Sequence, residues 1–175
     1  DLESCWILTD GKAGDEAQCV GVAEALEVSY QLRRVKPGAP FSWFMPWGPI
    51  DPRERSAAKG SPIAPPYPDL AIGSGRRAIA YLRHVKRASG GRTFTVCLKD
   101  PRTGTSAADL IWVPEHDSLR GDNVLTSPTA PHRFHQELLK DFETHLRRSL
   151  NVCQGRVLPF CSVATAGTIR FPQMI

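Results

Sequence analysis

The sequence predicts an α/β protein, a Rossmann-like parallel sheet with helices on both faces. Three observations carry that expectation. Short apolar runs alternate with amphipathic segments through the first 150 residues, which is how a parallel layer is written in sequence. Glycine-bearing turns follow several of those runs and open helical patterns. Right-handed crossovers then make parallel pairing of successive strands the default.

Each element has its own signal. Ser4 to Thr9 is a strand of the buried type, ended by Asp10-Gly11-Lys12-Ala13-Gly14. A helix follows with Val20, Val22, Ala23 and Leu26 apolar, and Asp15 and Glu16 favour its amino-terminal dipole. A second strand reads from Ser29 to Val35, with Tyr30, Leu32 and Val35 apolar. Between Pro37 and Pro68 the pattern fails: nine of the fifteen prolines lie there with Trp43 and Trp47, so neither regular helix nor inner strand can form. This window reads as a long loop, functional or disordered, pinned in part by its aromatics, with a short helix near Pro52 to Lys59. Asp69 to Ser74 resumes the sheet, and Gly75 to Ala88 is a helix with Ile79, Leu82 and Val85 inward, ended by Gly90-Gly91. Strands at Thr93 to Leu98, Asp109 to Val113 and Asn123 to Thr126 follow, then a helix from Phe134 to Arg148. The domain is therefore expected over residues 1–150. Residues 151–175 hold no Asp or Glu and no clear periodicity, and read as an off-pattern tail.

Composition bounds the function. With 41% hydrophobic and 23% charged residues, the chain is neither wholly disordered nor a collagen or coiled coil. No apolar run approaches the ~18 residues of a membrane span. A net charge of +4 with dispersed basic residues is a weak footprint for nucleic acid. The five cysteines show no CxxC pair and no cluster with histidine, so neither a metal site nor a cofactor is expected. Cys5 and Cys97 read as small core hydrophobes. The acidic, polar start and the short Trp6-Ile7-Leu8 run do not resemble a secretory leader. A reducing, cytoplasmic setting is the expectation.

In an open parallel sheet ligands gather beyond the carboxyl ends of the strands, so the loops there hold the candidate residues. After the first strand, Asp10, Gly11, Lys12 and Gly14 combine a sharp turn, a cation and a helix start. This is neither a Walker A loop nor GxGxxG. After the third strand, Ser74, Gly75, Arg76 and Arg77 open a helix. Cations there oppose the helix dipole by about 0.3–1 kcal/mol each, a conflict that a bound anion would relieve. Lys99-Asp100-Pro101-Arg102 follows the fourth strand, with Asp100 and Arg102 as candidates. Glu115, His116 and Asp117 follow the fifth and are the catalytic candidates, since an imidazole beside carboxylates suits acid–base work. His132 stands near the same edge.

These blocks together resemble the Elm-type mitochondrial-fission protein family. They are Trp6 to Glu16 with Gln18, Ser74-Gly75-Arg76-Arg77, Asp100-Pro101-Arg102, Pro114-Glu115-His116-Asp117 and Ala130-Pro131-His132-Arg133. The resemblance implies a fold similar to the two-lobed GT-B glycosyltransferases, with this chain as the N-terminal lobe and no second lobe. For plant members it implies recruitment of a dynamin-related fission factor at the cytosolic face of mitochondria. Three readings follow: a lobe binding a nucleotide or sugar-phosphate at its strand ends, a protein-interaction module without catalysis, and a truncated product with no activity of its own.

Overall fold

The computed structural model describes residues 2–127 and Thr144. The expected helix from Phe134 to Arg148, His132 and the tail at 151–175 lie outside the described residues. Among the described residues six strands form one sheet: β1 (Cys5–Thr9), β2 (Tyr30–Arg34), β3 (Leu70–Ser74), β4 (Phe94–Leu98), β5 (Leu110–Pro114) and β6 (Val124–Ser127). Every pairing is parallel and the order is β2-β1-β3-β4-β5-β6. This is the doubly wound, Rossmann-like arrangement the sequence predicts.

The two helices of thirteen residues lie on opposite faces. Helix α1 (Ala13–Ala25) packs Cys19, Val22 and Ala23 against Cys5, Ile7, Leu70 and Ile72. Helix α3 (Arg76–Ala88) packs Ile79, Leu82 and Val85 on the face carrying Trp6, Leu8, Ala71 and Cys97. The alternation along each strand thus sorts neighbouring side chains into two cores. Gly90 and Gly91 end α3 in the left-handed region, with the Gly91 N–H on the Lys86 carbonyl and the Gly90 N–H on that of Arg87. Those paired bonds make a Schellman motif and satisfy the last carbonyls.

The proline-rich window is an ordered crossover. It carries the chain from β2 across to β3, and right-handedness places that path on the face of α3. Where a helix would ordinarily lie, this segment lays Val35, Met45, Ile50 and Ile63 into the same core as Trp6 and Leu8. It contains one helical turn, α2 (Phe41–Phe44), and a 3-10 turn at Pro52–Glu54 in place of the longer helix expected to Lys59. Its anchors also differ from expectation. Trp43 and Trp47 are exposed and do not pin it; the buried aliphatic side chains do, helped by two carboxylates. Asp51, 1% exposed, accepts the Gly38 N–H at 2.9 Å and a fork from Arg53. Those bonds hold its carboxyl below the usual carboxylate range. Its contribution is therefore complete above about pH 4 and is lost as pH falls through the lowered folded value. Glu54 accepts the Lys36 N–H at 2.8 Å and the Tyr81 hydroxyl of α3.

The edge strand also departs from expectation. In β2, Tyr30 and Leu32 are exposed, and only Val35 just beyond it is buried. An edge strand has one neighbour, so its apolar residues need not be covered as an inner strand's are.

Met45 and Trp43 should behave oppositely on truncation. Met45→Ala empties a fully buried position and should cost about 2–5 kcal/mol in denaturant unfolding. Trp43→Ala, at 71% exposure, should stay within about 0.5 kcal/mol of the parent.

Candidate functional site

The strand order reverses at β1, which pairs with β2 on one side and β3 on the other. The loops leaving β1 and β3 diverge to opposite faces there, opening the crevice in which doubly wound sheets hold ligands. The loop at Asp10 to Gly14 and the turn at Ser74 to Arg77 are consequently neighbours.

The β1 loop turns at Gly11 (φ +87°), whose N–H is held at 3.0 Å by the Thr9 hydroxyl. The Asp10 carboxylate, 6% exposed, stands 3.8 Å from both Lys12 Nζ and Arg77 Nη1. Gly14 and Lys12 are exposed at the amino end of α1, which no side chain caps. The two acids of that first turn are both engaged. Glu16 pairs with Arg34 at 3.0 Å, and Asp15 is buried.

Asp15 organises the second turn. It accepts the Ser74 hydroxyl at 3.1 Å and pairs with the Lys99 ammonium, which reaches from the end of β4 over β3. Gly75 caps α3 at φ +87° with no side-chain bond to the helix amides, and a Cβ there would stand 3.1 Å from Asp15 Oδ2. Glycine is needed at this position both for its φ and for room. Gly73 serves a different end, since a Cβ there would meet Leu82 Cδ1 at 3.0 Å, so its absence lets α3 lie close on β3. Arg76 is exposed, whereas the half-buried Arg77 turns back to Asp10.

Sequence reasoning missed two of these residues. Asp15 stood in the β1 loop block but was read only as a dipole partner, and Lys99 was passed over beside Asp100. The available signal for Lys99 was its place directly after an apolar run. Its φ of +93°, at about 1–3 kcal/mol for a non-glycine residue, is offset by the ion pair with Asp15 and by its N–H on the Trp112 carbonyl at 2.8 Å. Beyond it, Asp100 accepts the Arg102 N–H at 2.7 Å, fixing a turn that leaves the Arg102 side chain exposed.

Glu115, His116 and Asp117 form a turn at the end of β5, braced by Arg120 on the Glu115 and Asp117 carbonyls. His116 Nε2 is 3.8 Å from Asp117 Oδ1, with the imidazole 79% exposed. This turn shares the sheet edge but stands two strands from β3, about 10 Å away at ordinary strand spacing. No hydrogen bond or ion pair joins it to the Asp15 cluster among the described residues. Burial pushes the Cys5 and Cys97 thiols up to about 12 and raises that of Cys19 as well, so these three are core residues rather than nucleophiles. Among the described residues no group of three or more His, Cys, Asp or Glu is placed to hold a metal ion. No helix among them is long and apolar enough to cross a membrane.

A family model described as Mitochondrial fission ELM1 matches residues 13–158. The chain belongs to the mitochondrial fission ELM1 family. The match takes in Asp15, the crossover segment, Ser74 to Arg77, Lys99 and the β5 turn, and begins just after Lys12. No curated protein and no solved structure matches the chain. Within this ELM1-family chain, the polar residues that the fold brings together are Asp10, Lys12, Asp15, Ser74, Arg77 and Lys99.

Gly75→Ala should lower stability by about 1–3 kcal/mol, since it strains a left-handed position and presses on Asp15. Thermal unfolding measures this, and Gly90→Ala is a useful comparison because a Cβ there meets nothing within 4 Å. The Gly90 variant keeps the φ penalty without the contact, so the Gly75 variant should lose more.

Proposed function

We propose that the crevice between β1 and β3 binds a phosphate-bearing ligand, a nucleotide or sugar-phosphate, as the N-terminal lobe of a GT-B-like fold. Residues 1–150 form that lobe, residues 151–175 a tail outside it, and the protein works in the cytoplasm. The observation that carries the reading is the amino end of α3. It opens on glycine with no side-chain cap, at the point where strand order reverses, with Lys12, Arg76 and Arg77 around it. Backbone N–H groups and guanidinium forks are the donors that phosphate oxygens accept.

The carboxylates present do not oppose this. Asp15 is committed to Lys99 and Ser74, and Asp10 lies between Lys12 and Arg77. Arg76 is the cation of this turn without an ion pair among the described residues, and Asp100 and Arg102 extend the expected ligand-binding edge; His132 is the remaining residue of the expected set. Catalytic work by Glu115, His116 or Asp117 would need a substrate long enough to span from β3 to β5, as a nucleotide-sugar is.

A thermal-shift panel of nucleotides and nucleotide-sugars tests the reading. A ligand at 100 times its dissociation constant should add about 2.7 kcal/mol. Arg76→Ala should abolish that gain and leave the unliganded chain unchanged. Arg77→Ala should also lose it and cost up to about 1 kcal/mol on its own, because Asp10 then keeps only Lys12. A panel that stabilises both variants as much as the parent would place the phosphate elsewhere.

A further inference from the structure

The crossover segment carries a feature that the β1–β3 crevice does not use. Trp43, Phe44 and Trp47 are 71%, 59% and 67% exposed, while Met45 and Pro46 between them are buried. The turn that presents them is fixed from below: the Gly48 N–H bonds the Phe44 carbonyl at 2.7 Å, and Arg83 of α3 donates to the Pro46 carbonyl. Three large aromatic side chains are thus held out to solvent by a hydrogen-bonded turn. Exposed apolar surface of this kind on an ordered loop marks a binding surface.

Directly behind the turn lies a depression of about 500 Å³ lined by Gly48, Pro49, Ile50, Arg55, His84 and Arg87. Its charged lining is cationic. Arg55, Arg83 and Arg87 have no carboxylate partner among the described residues, and Arg83 Nε is buried without a hydrogen-bond partner. The nearby acids are committed, Asp51 to Arg53 and Glu54 to Tyr81 and Lys36. Along α3, Arg76 to Ala88 includes five Arg or Lys residues and no acid.

We propose that this aromatic turn and the cationic depression behind it are a docking surface for an anionic lipid bilayer. The order of chemistry matches that interface. Tryptophan and phenylalanine are outermost, where they partition at the headgroup–acyl boundary. The guanidinium groups sit behind, at the level of lipid phosphates, where each is worth about 1 kcal/mol toward an anionic leaflet.

Cosedimentation of the 175-residue chain with vesicles of phosphatidylcholine, alone or mixed with phosphatidylglycerol, tests this. The chain should bind the mixed vesicles, with a blue shift of tryptophan emission against the constant background of buried Trp6 and Trp112. The variant W43A/W47A should lose binding and the shift while keeping the parent's melting temperature. R55A should weaken binding to the anionic vesicles about fivefold, and so should R87A. Free inorganic phosphate should leave the chain on the vesicles. Four results would each overturn the proposal: no binding to anionic vesicles, equal binding by W43A/W47A, full release by free phosphate, or self-association of the parent that W43A/W47A removes. The last would make the patch an interface between copies, and release by phosphate would make the depression a simple anion pocket.

Discussion

Everything in this molecule follows from β1 having a parallel neighbour on each side. The chain reaches β2 in one direction and returns past β1 to reach β3 in the other. Because each crossover is right-handed, the two journeys lie on opposite faces. Helix α1 therefore covers one core, α3 and the proline-rich segment cover the other, and the loops leaving β1 and β3 part at their ends. The crevice needs no further device to exist. What the local sequence adds is its lining: glycine where the α3 turn must go left-handed, and a buried aspartate that holds that turn in place.

Asp15 is the point where fold and chemistry meet. A buried carboxylate is costly unless it is paired and hydrogen-bonded. Here the ammonium of Lys99 and the hydroxyl of Ser74 supply both, drawing the ends of β3 and β4 toward the first turn of α1. The same pairing balances the charge of an anionic side chain that lies beside the first turn of α3. In this ELM1-family chain the acids are paired, and Arg76 is without an ion pair among the described residues.

The architecture was largely legible in the sequence because buried strands and amphipathic helices are local patterns. All six strands lie within a residue or two of where the apolar runs place them, and Ile79, Leu82 and Val85 face inward as their spacing requires. The proline-rich crossover was legible as a long loop without regular helix or inner strand, but its helical turn lies at Phe41–Phe44, and the short helix expected near Pro52 to Lys59 is only a 3-10 turn. Its anchors were not legible, since no period marks which of its apolar residues is buried, and the exposed tryptophans looked more like core than Met45 or Ile63 did. The candidate loops were legible as loops at one edge. The Asp15–Lys99 pair was not, because it joins residues 84 positions apart whose meeting depends on the strand order. His116 and Asp117 show the converse, being adjacent in sequence yet remote from that pair, with the imidazole exposed and the carboxylate half-buried.

An amide NMR titration of the 175-residue chain with a nucleoside diphosphate tests the phosphate-binding reading of the crevice most directly. The resonances of Gly11, Gly14, Gly75, Arg76 and Arg77 should shift together and saturably, as the donors around the β1–β3 crevice take up one ligand. Shifts confined to Gly48, Arg55, His84 and Arg87, or none at saturating nucleotide, would contradict it.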